Sequence, residues 1–340
     1  MNDSAPNDTF TTTLNRMKKR YGSFSRTLLG PRELVLVVTI LVLCIAMYFV
    51  EPRFLSIGNL RAILVGSAME FVLVVAVVFL MVGKMFDLSL DGIINMVGVV
   101  AGLLMVAGIP WPLACLAALA SGALIGLING VCTTVLGMNP LMTTLATWWI
   151  ARGIAFGLTQ GISPNGFPEG FVNIGYSDIH GIPIVYFYAV AAVTIGVLVL
   201  ALTKYGYNTF AIGGNRRAAR LRGIPVRRVT MTAFMVVALL AGFTGLVYAA
   251  RLNAATPQAA VNVNLRVIAA AVIGGSALSG GRGTILGGVL GVLFITLLLN
   301  ATIVIGIDGV WQYTLLGAVI LIAVAADALA AKARGQEDLE

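Results

Sequence analysis

At 340 residues, 59% of them hydrophobic and only 11% charged, the chain carries more apolar surface than a water-soluble domain can bury. Its net charge of +8 comes from Lys and Arg gathered between apolar runs, which marks the cytoplasmic loops of a membrane protein and argues against a nucleic-acid partner. Cys44, Cys115 and Cys132 all fall inside apolar runs without paired spacing, which argues against a disulfide framework or a zinc site.

Residues 1–32 are polar and then basic (Arg16, Lys18, Lys19, Arg20, Arg26, Arg32), and are expected to form a retained cytoplasmic tail rather than a signal peptide. A spanning helix needs about 20 mostly apolar residues. Ten segments approach that length: 33–50, 62–82, 93–108, 112–136, 140–159, 184–203, 229–250, 267–278, 284–303 and 311–330. The third and eighth are too short. They are expected to tilt, break or enter without crossing, which is tolerated only where protein or a water-filled cavity satisfies the backbone. The expected architecture is an all-α integral membrane protein, a polytopic helical bundle of about ten membrane segments over 33–331, followed by a cytoplasmic tail at 332–340.

An even number of spans places both termini on one side. With that side cytoplasmic, only Arg53, Arg61, Arg251 and Arg266 fall outside and Arg152 inside a segment, while the rest of the 22 Lys and Arg are cytoplasmic.

Two charges lie well inside segments, Glu70 in the second and Arg152 in the fifth, each about 12 Å from the outer end at the helical rise. Two readings stand. They pair, offsetting the cost of burial, or Arg152 snorkels outward. The glycine series Gly122, Gly126, Gly130 and Gly283, Gly287, Gly291 place small residues along one helix face, where a neighbouring helix can approach closely. Thr144, Thr147, Trp148 and Arg152 share a side of the fifth segment, and Asn95, Asn129 and Asn300 add amides in other spans. This inventory suits a polyol, so Asn95, Asn129, Thr144, Thr147, Trp148 and Asn300 are substrate-pathway candidates, with interhelical hydrogen bonding as the plainer role for each.

The outer loop 160–183 carries Phe167, Phe171, Tyr176, Glu169 and Asp178 and no Lys or Arg, as expected of an ordered external cap or a long connector. His180, in that loop, is the only histidine, and no nucleophile–base constellation or metal motif surrounds it, so catalysis and a bound metal are not expected.

The loop 204–228 holds Lys204, Arg216, Arg217, Arg220, Arg222, Arg227 and Arg228 and no acidic residue. Within it Asn215 is an N-cap, the run Arg216, Arg217, Ala218, Ala219, Arg220, Leu221, Arg222 is helix-compatible, and Gly223 with Pro225 ends it. A short basic helix there is a docking element for an intracellular partner. Gly280-Gly281-Arg282-Gly283 reads as a tight reversal rather than a phosphate cradle, because the chain holds no GxxxxGK[ST] run. Any ATP hydrolysis must therefore belong to another polypeptide.

Five segments in order carry a resemblance: Asp87-Leu88-Ser89; Gly126 to Gly130; Thr144 to Gly153; Ala211 to Ile224; and Ile268 to Gly275 continuing through Gly280 to Gly283. Over about Phe54 to Asp327 the chain resembles the permease family of ribose and other monosaccharide ABC importers. The resemblance implies a permease subunit for a small neutral carbohydrate in the bacterial inner membrane. It also implies a second permease subunit, identical or different, and two cytoplasmic ATPase subunits that hold ATP and Mg. An external or periplasmic sugar-binding protein would deliver the substrate, and Asn215 to Gly223 would be the ATPase-coupling helix. No cofactor is expected on this chain itself. Members usually read Gly-Gly-Ile-Asp-Leu-Ser-Val-Gly where this chain reads Lys84-Met85-Phe86-Asp87-Leu88-Ser89-Leu90-Asp91, and Asn264 replaces a usual Glu, so an external acidic contact is expected to be missing. The competing reading is an ion-coupled secondary transporter of a small polar solute, which needs more intramembrane carboxylates than Glu70 alone.

Overall fold

Pro31 opens the first helix, α1 (Pro31–Val50), where its missing N–H costs nothing. This computed structural model describes residues 30–332, so nearly all of the tail expected at 1–32 and most of that at 332–340 lie outside the described residues. A 3-10 turn (Pro52–Leu55) leads to α2 (Ile57–Val82), whose N-cap hydroxyl, Ser56, accepts from the Asn59 N–H. Then follow α3 (Leu90–Val106), α4 (Trp111–Thr134) and α5 (Pro140–Thr159). On the same side as the start of α2 lie α6 (Glu169–Tyr176) and a hairpin of β1 (Asp178–Ile179) and β2 (Ile182–Pro183). The chain continues as α7 (Ile184–Leu202), α8 (Lys204–Gly214), α9 (Arg216–Leu221), α10 (Val226–Leu252), α11 (Val263–Ile273), α12 (Ile285–Ile305) and α13 (Trp311–Lys332).

From Ser67 to Val82 nearly every residue of α2 is buried, so this helix, apolar on all sides, sits within protein rather than against lipid. Around it pack α7, α10, α11 and α12; α3, buried over most of its length, is held by α4, α5 and α10. Close approach needs small residues. A Cβ on Gly126 would stand 2.5 Å from the Ala238 Cβ, and one on Gly287 or Gly291 would fall on the carbonyl oxygens of Gly274 or Ala270. Gly126 and Gly130 thus seat α4 on α10, and Gly287 and Gly291 seat α12 on α11, as expected of packing stripes, whereas Gly122 faces Val97 and Ile93 of α3 and Gly283 lies in the turn before α12, against Ser276 and Val82.

Among the described residues six helices, α1, α2, α4, α7, α10 and α12, are long and apolar enough to cross a membrane. The segments expected at 93–108 and 267–278 are indeed the short ones. Helix α11 has 11 residues, about 16 Å at the helical rise, against a hydrocarbon core about 30 Å thick. The remaining depth is covered by the non-helical stretch 253–262, bracketed by Asn253 and Asn262, both at positive φ (47° and 60°). Asparagine tolerates that left-handed region better than most residues do.

That stretch is stitched to loop 160–183. Ala255 N–H donates to the Pro164 carbonyl at 2.8 Å, and Phe167 N–H to the Asn253 side chain at 2.9 Å. Phe167 and Phe171 are core residues meeting edge to face at 5.5 Å, and Tyr176 stays exposed. Arg61 anchors the hairpin through Asp178 at 2.9 Å. Loop 160–183 is thus an ordered cap, and His180 occupies its hairpin turn at φ 51°.

Candidate functional site

After α2 the chain turns back on itself through Lys84, at φ 58°, and carries Met85, Asp87 and Ser89 into the interior. Asp87 accepts from the backbone N–H of Ser89 at 2.7 Å and from its hydroxyl, a local turn that starts α3. Asn129 of α4 donates to the Ser89 hydroxyl at 3.0 Å, and Thr147 of α5 donates to the Asn129 carbonyl at 2.8 Å. Beside them Thr144 accepts from the Leu88 N–H at 3.1 Å, and Asn264 of α11 donates to the Leu88 carbonyl at 2.9 Å.

One turn further, Asp91 accepts from the Asn95 side chain at 2.7 Å and from the Asn262 N–H at 2.9 Å, while Asn95 accepts from the Ala260 N–H at 3.1 Å. A non-helical backbone inside a bundle needs such partners, because neither lipid nor a regular ladder supplies them. Four of the six pathway candidates, Asn95, Asn129, Thr144 and Thr147, therefore meet in one buried polar node that ties α3, α4, α5 and α11 together.

In this conformation all four are engaged in the interhelical hydrogen bonding that was the plainer of their two expected roles. All four are buried and spend their side chains on protein partners. Trp148 is half-buried, packed so closely on α3 that a Cβ on Gly92 would stand 2.7 Å from its carbonyl oxygen. Asn300 lies elsewhere, in a reciprocal amide pair with Asn59 at 2.9 and 3.1 Å that joins α12 to α2. Replacing Asn129 by Ala should lower stability by about 2 kcal/mol, since Ser89 loses its amide donor and Thr147 its amide acceptor. Thermal unfolding in detergent measures this, with Asn300→Ala, outside the node, for comparison.

The intramembrane charges are arranged differently from the expected pair. Glu70 bonds Arg266 of α11 at 2.9 Å. Arg152 instead lies over the Phe156 ring at 5.9 Å and within electrostatic reach of Asp91. Equal depth did not mean adjacency, because α5 packs on α3 and α4 whereas α2 is surrounded by α7, α10, α11 and α12. Two further expectations fail for one reason, that α11 starts at Val263 rather than near 267. Arg266, placed in an outer connection by sequence, is part of the bundle, and Asn264, placed in the same connection, is fully buried. Asp87 and Asp91, which sequence alone did not place in the interior, are also buried.

On the face where α2 ends and α10 begins, the basic loop 204–228 is mostly helical. Helix α8 was not foreseen. Helix α9 was, and the Asn215 side chain accepts from the Ala218 N–H at 2.8 Å while Gly223 ends it at φ 77°. Ala219, expected on the docking surface with Ala218, faces inward onto Ile212, Val226 and Val229. The outward surface is Arg217, Ala218, Arg220 and Arg222 around Leu221, which is 85% exposed. Desolvation and the neighbouring Arg220 both draw the Arg216 pKa below its ordinary value. Such crowding of like charge suits an acidic counter-surface.

A family model described as branched-chain amino acid transport system / permease component matches residues 59–324. The galactose/methyl galactoside import permease protein MglC of Escherichia coli is 35% identical over 316 residues, covering 86% of this chain and 93% of that protein. The L-arabinose ABC transporter permease protein AraH of Azospirillum brasilense is 32% identical over 292 residues, covering 86% of each chain. The D-allose transport system permease protein AlsC of Escherichia coli is 32% identical over 280 residues, covering 82% of this chain and 86% of that protein. No solved structure matches significantly.

Proposed function

Because the chain belongs to the family of branched-chain amino acid transport system permease components, matched over residues 59–324, we propose that it is the membrane-spanning subunit of an ATP-driven ABC importer for a small neutral carbohydrate, a monosaccharide. It is a multi-pass transport subunit and not an enzyme. The observation that carries the substrate class is similarity along most of the chain to permeases named for galactose, arabinose and allose. These three names share a neutral, hydroxyl-rich solute, and they decide between carbohydrate and the amino acids of the family description.

The finer assignments follow the same reading. The chain lies in the bacterial cytoplasmic membrane with both termini inside and lipid around α1. It pairs with a second permease chain, and its α9 face meets cytoplasmic ATPase subunits that hold ATP and Mg. A sugar-binding protein approaches the cap formed by 160–183. No nucleotide or other cofactor is held by this chain. Capped and basic, α9 supports the ATPase side of this arrangement, and the ordered cap supports the other.

The test is purification from mild detergent, identification of the co-purifying proteins, and reconstitution of the complex into vesicles. Uptake of D-galactose, L-arabinose and D-allose should require ATP and survive collapse of ion gradients. Uptake driven by an ion gradient without ATP, or selective uptake of a charged amino acid, would overturn the proposal.

A further inference from the structure

We infer that a backbone joint between Val82, Gly213 and Gly281 is a positioning element that makes the end of α2, helices α8 and α9, and α11 with the turn that follows it move as one body when an ATPase presses on α9; this rests on the function proposed above. Three segments distant in sequence meet there with no side chain between them. The Gly281 N–H donates to the carbonyl of Val82, the last residue of α2, at 2.9 Å. A Cβ on Gly213 would fall on that same oxygen and come within 2.6 Å of the Gly281 nitrogen. On the other side a Cβ on Gly280 would stand 2.6 Å from the Lys84 Cβ and 3.1 Å from the Gly213 carbonyl oxygen. Gly280 and Gly281 sit at φ 83° and 73°, and the turn they form is closed by the Ala277 N–H on the Arg282 carbonyl at 3.0 Å.

Seen from sequence, Gly280 to Gly283 is only a reversal between two helices. In the fold it is the floor on which the end of α8 rests. Only Asn215 separates α8 from α9, and its side chain is committed to capping α9. A displacement of α9 therefore reaches Gly213 within a few bonds. Contacts between backbones have no rotamers with which to absorb it, so it passes to the turn that ends α11. The other end of α11 holds Arg266 on Glu70, and Asn262, its N-cap, donates to Asp91. Motion at the ATPase face is thus delivered to the buried polar node.

The adjacent glycine is a built-in control, since a Cβ on Gly214 meets nothing within 4 Å. Both substitutions to Ala raise helix propensity alike, so only the lack of room distinguishes them. Wild type, Gly213→Ala and Gly214→Ala are compared in vesicles as complexes with the co-purified ATPase and binding protein, reading ATP hydrolysis and D-galactose uptake. Gly214→Ala should stay within about twofold of wild type in both. Gly213→Ala should keep its ATPase and hydrolyse ATP at the wild-type rate while uptake falls at least tenfold, a loss of about 1.4 kcal/mol of coupling. Uptake by Gly213→Ala equal to wild type, or an equal loss in Gly214→Ala, would overturn the joint. So would parallel loss of hydrolysis and uptake, which marks a docking role.

Should Gly213→Ala fail to enter the membrane, spin labels decide, placed at exposed Tyr207 of α8, Leu265 of α11 and Leu124 of α4 with the native cysteines replaced by Ser. The Tyr207–Leu265 distance should stay constant between nucleotide-free and ATP-trapped complexes while both move relative to Leu124. A change in that distance would overturn the rigid joint. Absence of ATP-dependent uptake in the wild-type complex would instead count against the proposed function.

Discussion

Removing Arg266 should destabilise the protein by about 3 kcal/mol, more than removing its partner Glu70 does. The Glu70 side chain is only 8% exposed, so Arg266→Gln strands a carboxylate in a nearly dry site. The Arg266 side chain is 29% exposed, so the guanidinium left by Glu70→Gln is less tightly enclosed. The double substitution removes both charges and should cost clearly less than the two single losses added together. Thermal unfolding in detergent of the two single variants and the double variant closes the cycle; strict additivity would show that the pair contributes no coupling. The same cycle between Glu70 and Arg152 should be additive, because Arg152 sits on α5 beside Phe156 and Asp91 rather than against α2.

Replacing Leu221 by Asp should weaken ATPase attachment about 30-fold, the effect of losing about 2 kcal/mol at an interface hot spot. Leu221 is an exposed apolar knob ringed by arginines. An apolar side chain so placed on a basic surface fits a greasy groove with an acidic rim, and a carboxylate there meets both the groove and the rim unfavourably. Titrating the ATPase onto the chain in nanodiscs measures the affinity directly. Unchanged affinity for Leu221→Asp would remove α9 from the interface. Ala219→Trp tests something else: its side chain points into the seat formed by Ile212, Val226 and Val229, so it should dislodge α9 rather than fill a partner's groove.

How much of this was legible in the sequence depended on whether the signal was local. The α9 cap and stop were, since Asn215 and Gly223 act on their own backbone neighbours. So were the glycine series and the two short segments, because length and periodicity speak directly to helices. The orientation of Ala219 was not, since α9 is only six residues long and its phase is set by what lies beneath it. The partner of Glu70 was not legible either. Depth along a helix is a one-dimensional quantity, and which helices stand side by side is decided by packing. The burial of Asp87 and Asp91 was not legible, because both precede the apolar segment that begins at 93 and only the fold shows what surrounds them. The four node residues were recognised as polar groups within spans, but their common purpose was hidden by the break before α11.

That break also constrains the order in which the protein can be made. Asp91 and the Asn262 N–H that it accepts are 171 residues apart, and Asn95 and the Ala260 N–H are 165 apart. During synthesis, α3 reaches the membrane long before the stretch 253–262 exists to satisfy it. Until α10 and α11 emerge, the nascent chain must hold a carboxylate and an amide in the bilayer on borrowed partners, such as water, lipid headgroups or an insertion factor. The polar node therefore cannot be completed until the stretch 253–262 has been made, so the interior of the bundle closes late in synthesis.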